Sequence, residues 1–159
     1  MGVAEVSNVL WREREQLELL LFKLDEEQMV LASGRTRWLA HATREVEVVL
    51  AQLRESELLR AVEVDACAGA LGLPPGPSLQ ALAEASPEPW RELLLSHRDA
   101  LVELTHEISA VADANRDVLA VAQRATHETL LSLGGGVQTY APGGRTTSAA
   151  PARLVDRAL

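Results

Sequence analysis

Between Trp90 and Ala125 the apolar and small residues recur in alternating steps of four and three: Leu94, His97, Leu101, Leu104, Ile108, Val111, Asn115, Val118, Ala122 and Ala125. A 3–4 repeat held this long is the seam of a coiled-coil-like helix and excludes a strand, whose side chains alternate with period two. Ser86 reads as its N-cap and Pro87 as its first helical residue, with Glu88 and Glu92 complementing the positive end of the helix dipole. Gly134, Gly135 and Gly136 read as its end. A helix over residues 87–133 spans roughly 70 Å at about 1.5 Å per residue. So long a helix, followed by the polar run Thr139-Tyr140-Ala141-Pro142-Gly143-Gly144-Arg145, suits a protein that holds another protein.

The rest of the chain is patterned the same way. Leu10, Leu17, Leu24 and Leu31 fall at seven-residue spacing with Val6, Leu20 and Leu21 beside them, which predicts a helix over residues 4–31. Its opposite face is read as charged, from Arg12, Glu13, Glu15, Glu18, Asp25 and Glu26. Ser33-Gly34 follows as a C-cap or hinge. Leu39, Val46 and Leu53, flanked by Ala42, Val49 and Leu50, predict a second helix over residues 36–71. It stops at Leu71-Gly72-Leu73-Pro74-Pro75-Gly76-Pro77, the strongest break in the chain, and residues 78–85 are expected to form two short turns. No period-two run and no Asn-Gly or Asp-Gly turn is present.

The expected fold is therefore all-α: an elongated, antiparallel three-helix bundle over residues 1–133, coiled-coil-like, with a flexible tail over residues 134–159. The third helix is about ten residues longer than the second, which would leave roughly 15 Å of it unpaired. Leu119, Leu130, Leu131 and Leu133 lie in that stretch, and an apolar helix end without an internal partner invites an external one.

Composition narrows the function classes. A net charge of −8 argues against a nucleic-acid partner, and the body is more acidic still, because Arg145, Arg153 and Arg157 outnumber Asp156 in the tail. One cysteine, Cys67, allows no internal disulfide and points to a reducing compartment. No apolar run approaches the roughly 20 residues of a membrane span, so no membrane insertion is expected. The N-terminal residues lack the apolar stretch of a signal peptide, and the expected location is the cytoplasm.

Chemical motifs are sparse. Glu103-Leu104-Thr105-His106 matches half of a di-iron site, but His41 and His127 lack a Glu at the same spacing, so no second copy exists. His97-Arg98-Asp99 resembles a kinase catalytic triplet yet lies inside a helix, and the glycines at 134–136 lack the Lys-Ser/Thr of a phosphate loop. Neither enzyme activity nor a cofactor is expected. Asn115 stands where the seam calls for Leu or Val; it is either a register-setting core residue or a polar anchor in a partner-binding face. Trp11, Trp38 and Trp90 are expected as buried plugs between helices, and an exposed Trp would mark an interface.

Three stretches together resemble the FlgN-like flagellar export chaperones. The first is Glu27, Leu31, Gly34, Leu39, Glu45, Leu50, Leu53 and Arg60 running to Leu71-Gly72-Leu73; the second is Asn115-Arg116 with Leu119; the third is the glycine run with Thr139-Tyr140 and Gly143-Gly144-Arg145. Thr43-Arg44 stands where the family often has Lys, and the proline-rich connector is longer than a minimal turn. The resemblance implies a chaperone whose clients are the hook-associated proteins of the hook–filament junction, kept from premature assembly and delivered to the cytoplasmic domain of the export gate. It also implies a client- and gate-binding role for Asn115, Leu119 and Tyr140, to which exposure adds Leu130, Leu131 and Leu133. The competing reading is a self-associating coiled-coil protein without an export client.

Overall fold

In a computed structural model of the chain, residues 2–134 are described, and they are all-α, with no strand among them. Helix α1 spans Val3–Ser33, a 3-10 turn spans Thr36–Trp38, α2 spans Leu39–Ala70, α3 spans Leu79–Ala85 and α4 spans Trp90–Gly134. The chain divides into two units, Met1–Ala122 and Gln123–Leu159.

Local chemistry sets the helix ends. At the start of α1 the Glu5 carboxylate accepts from the Gly2 amide at 2.8 Å, which answers one of the orphan donors of a helix N-terminus. That bond also holds the Glu5 pKa below the ordinary glutamate value. Gly34 ends α1 in the left-handed region, φ 68°, with its amide on the Leu31 carbonyl. The hinge residue is therefore a true C-cap, and α1 and α2 are separate helices.

The end of α2 is a Schellman motif. Leu73 N–H reaches the Ala68 carbonyl at 2.9 Å and Gly72 N–H the Gly69 carbonyl at 3.3 Å, with Gly72 at φ 72° between them. Asp65 then accepts from the Gly76 amide at 2.7 Å and ties the proline-rich connector to α2.

The next segment departs from the expected pair of short turns. Residues 79–85 form one helix, α3, because Ser78 caps it: the Ala81 amide donates to the Ser78 hydroxyl at 3.1 Å. Ser86, expected to cap the long helix, closes α3 instead and donates its hydroxyl to the Leu82 carbonyl at 2.7 Å. The long helix accordingly begins at Trp90 and not at Pro87.

Within the first unit the core forms two clusters. One gathers Val6 and Leu10 of α1, Val64 and Cys67 of α2, Leu82 and Ala83 of α3, and Leu94 and Leu101 of α4. The other gathers Leu20 and Leu24 of α1 with Val46, Val49 and Leu53 of α2, against which Ile108, Val111 and Ala112 of α4 pack. Residue numbers rise along α1 and α4 while they fall along α2, so α2 is antiparallel to both. The α1–α2 pair is the closest approach between helices, and α4 reaches α1 and α2 through its side chains. Cys67 is buried here, and burial pushes its thiol pKa up.

Two acids of α1 contradict its expected charged face or cross it. Glu13 is buried and meets Arg60 of α2 at 2.8 Å. Burial raises its pKa, and Arg60 opposes the rise without cancelling it. Glu27 is also buried, and its carboxylate accepts from the Thr43 hydroxyl of α2 at 3.0 Å. No helix among the described residues is long and apolar enough to cross a membrane.

Candidate functional site

The candidate site is built along α4, and its inner limit is Asn115. The carboxamide is 2% exposed and donates to the Leu24 carbonyl at 2.9 Å and to the Glu27 carboxylate at 3.1 Å. Glu27 thereby joins three helices, accepting from Thr43 of α2 on one oxygen and from Asn115 of α4 on the other. With both N–H donors of the amide engaged, and its Oδ1 without a partner among the described residues, Asn115 fixes the register of α4 on α1, as a core asparagine does in a coiled coil.

Asn115 is the last buried residue of α4. Leu119, one turn on, is half-buried, while Val118 and Val121 are exposed. The seam positions that follow are Ala122 and Ala125, side chains too small to cover much of a neighbouring helix.

In the second unit the described residues, 123–134, belong to α4, and every one of them is exposed. Leu130, Leu131 and Leu133 stand between 63% and 65% exposed. Leu130 and Leu133 are three residues apart and share a side of the helix, whereas Leu131 lies about 100° round from Leu130. Thr129 and Ser132, which lie among them, turn their hydroxyls to the backbone, Thr129 to the Ala125 carbonyl at 2.9 Å and Ser132 to the Thr129 carbonyl at 2.8 Å, while Glu128 stands one turn before Leu131. What this surface offers is apolar area with a polar margin, the chemistry of helix docking. Tyr140, the remaining expected contact, lies outside the described residues.

At the opposite end of the seam, His97 is fully buried. Its Nε2 lies 3.3 Å from the Ser7 hydroxyl, and Trp11 meets the ring edge-on at 4.8 Å between centroids. Its Nδ1 has no hydrogen-bond partner among the described residues. Burial lowers the His97 pKa, and the nearby Arg14 guanidinium lowers it further.

An open groove of about 370 Å³ lies between Arg60, Leu79, Arg98, Leu101, Val102 and His106. Its arginines are already committed, Arg60 to Glu13 and Arg98 to Asp99 at 3.2 Å.

The tryptophans require a correction. Trp11 and Trp38 are exposed, not buried, and only Trp90 is partly covered. Phe22 and Met29 of α1 are exposed as well, and the heptad reading of α1 passed over them because it followed only the inward leucines. Their spacing from Trp11 was the signal available in the sequence.

Set against known proteins, residues 1–148 match a family model described as FlgN protein. No curated protein and no solved structure matches the chain.

Proposed function

The chain belongs to the FlgN family of flagellar export chaperones, and from that premise we propose that its clients are the hook-associated proteins of the hook–filament junction. In this reading it works in the cytoplasm, keeps the client from premature assembly and hands it to the cytoplasmic domain of the export gate. The client presents an amphipathic helix, and Leu119, Leu130, Leu131, Leu133 and Tyr140 receive it. Asn115 takes part from beneath, by holding α4 in register on α1 rather than by touching the client.

The observation that carries the reading is the exposure of Leu130, Leu131 and Leu133 on the last turns of α4. Leucine side chains this exposed among the described residues forgo about 1.5–3 kcal/mol each of available burial, which a docked helix restores. Part of that gain offsets the cost of ordering both partners, so the complex is held firmly enough to protect the client and loosely enough to release it.

The test is co-expression of a hook-associated protein with this chain. A soluble complex is expected, and it should be lost when the chain is ended after Leu133 or when Leu130→Asp is combined with Leu131→Asp. Retention of full client binding by both variants overturns the site assignment, and absence of a complex with the intact chain overturns the client assignment.

A further inference from the structure

The outward side of α1 carries a second apolar surface. Trp11, Phe22 and Met29 are 47%, 53% and 61% exposed. At about 100° per residue their spacings bring all three to within about 20° of one another around the helix. Leu10, Leu17 and Leu24, which pack into the core clusters, lie about 100–160° round from them. Leu19, also exposed, sits one turn before Phe22. The stripe runs about 27 Å along the helix.

Single exposed apolar residues are ordinary, but several large ones on one line of a helix, interleaved with charge, fit an amphipathic binding face. Aromatic side chains are scarce in this chain, which has three Trp, one Tyr and one Phe, and two of those five stand on this stripe. Such residues are the usual anchors of an interface. Both rings already receive cations: the Arg14 guanidinium lies 4.6 Å from the Trp11 centroid and the Lys23 ammonium 5.5 Å from that of Phe22.

Charge decides what kind of partner fits. Glu15, Glu18 and Asp25 are exposed beside the three apolar residues, against Arg12 as the exposed base and the half-buried Arg14 over Trp11. Lys23 does not offset them, because it is held by Glu26 at 3.1 Å and Glu45 at 2.9 Å. The face therefore interleaves large apolar side chains with acids and is acidic on balance. A second copy of the chain would bring acid against acid, and an anionic membrane or a nucleic acid meets the same repulsion.

We propose that this face of α1 docks a basic amphipathic helix of a partner protein, separately from the client surface on α4. The partner's apolar residues, at helical spacing, lie between Trp11, Phe22 and Met29, and its Lys or Arg side chains face Glu15, Glu18 and Asp25.

The probe is a fluorescein-labelled Leu–Lys amphipathic peptide of about 18 residues, or five turns, titrated with the full chain and followed by anisotropy. Binding is expected, and it should weaken about tenfold or more, near 1.4 kcal/mol, in the double variant Phe22→Ser with Met29→Ser. Glu15→Lys with Glu18→Lys should weaken it similarly, and the wild-type affinity should fall between about 0.05 M and about 0.5 M salt. All four positions are on the surface, and circular dichroism verifies that each variant keeps its helix. Equal binding by both double variants, or equal binding of a Leu–Glu peptide of the same pattern, overturns the proposal. So does a wild-type dimer in light scattering that Phe22→Ser with Met29→Ser converts to a monomer, since the face would then be a contact between copies of the chain.

Discussion

His97 occupies a seam position that sequence periodicity assigns to the core, and the core is where it sits, with Ser7 on one ring nitrogen and no partner among the described residues on the other. An imidazolium here would be desolvated and would face Arg14, so the folded protein binds the proton less readily than the unfolded chain does. For a pKa lowered on folding, the unfolded state carries more protons across the window below its own value of about 6.5, and stability there rises with pH. The protein is therefore expected to lose stability as pH falls from about 6.5 towards 5. Urea midpoints measured across that range should fall more steeply for the wild type than for His97→Gln. Glu13, whose pKa is raised, contributes a slope of the opposite sign above pH 4.5, and comparing the two proteins cancels it.

The first two helices each end for a reason that lies within a few residues of the end, which is why their ends could be read from the sequence so nearly. Gly34 and Gly72 both adopt positive φ, a conformation that costs an L-residue about 1–2 kcal/mol. A Cβ at Gly72 would meet nothing within 4 Å, so the penalty there comes from the backbone alone. Gly72→Ala is expected to lower stability by about 1 kcal/mol in urea unfolding, after the smaller entropy of the unfolded alanine chain is allowed for. The start of α4 was less legible. Ser86, followed by Pro87 and Glu88, carries the sequence signs of an N-cap, and residues 78–85 are too few to show a helical pattern of their own. In the fold Ser78 caps α3, while the Ser86 hydroxyl is taken by the carbonyl of Leu82. With seven residues, α3 is also too short for a 3.6-residue period to declare itself.

Across the whole bundle, Asn115 and Glu27 hold α4 to α1 and α2 through polar contacts in an otherwise apolar interface. Asn115→Ala removes the donor and leaves a buried carboxylate with one partner fewer. The expected loss is about 1–3 kcal/mol, read from the urea midpoint. The sequence showed that Asn115 was out of place in its seam but not what it would bond, since its partners lie about ninety residues earlier in the chain. Periodicity, glycines and prolines determined by themselves that this chain is helical, where its first two helices stop and which stripe of each turns inward. Those signals are local, carried by residues within a turn or two of one another. The tertiary structure alone decided the flanks of each stripe: that Glu13 and Glu27 turn in to Arg60, Thr43 and Asn115, and that Trp11 and Phe22 stay out. A period names the face a helix will bury, whereas the neighbour it meets, and how far round the burial extends, depend on how the helices pack.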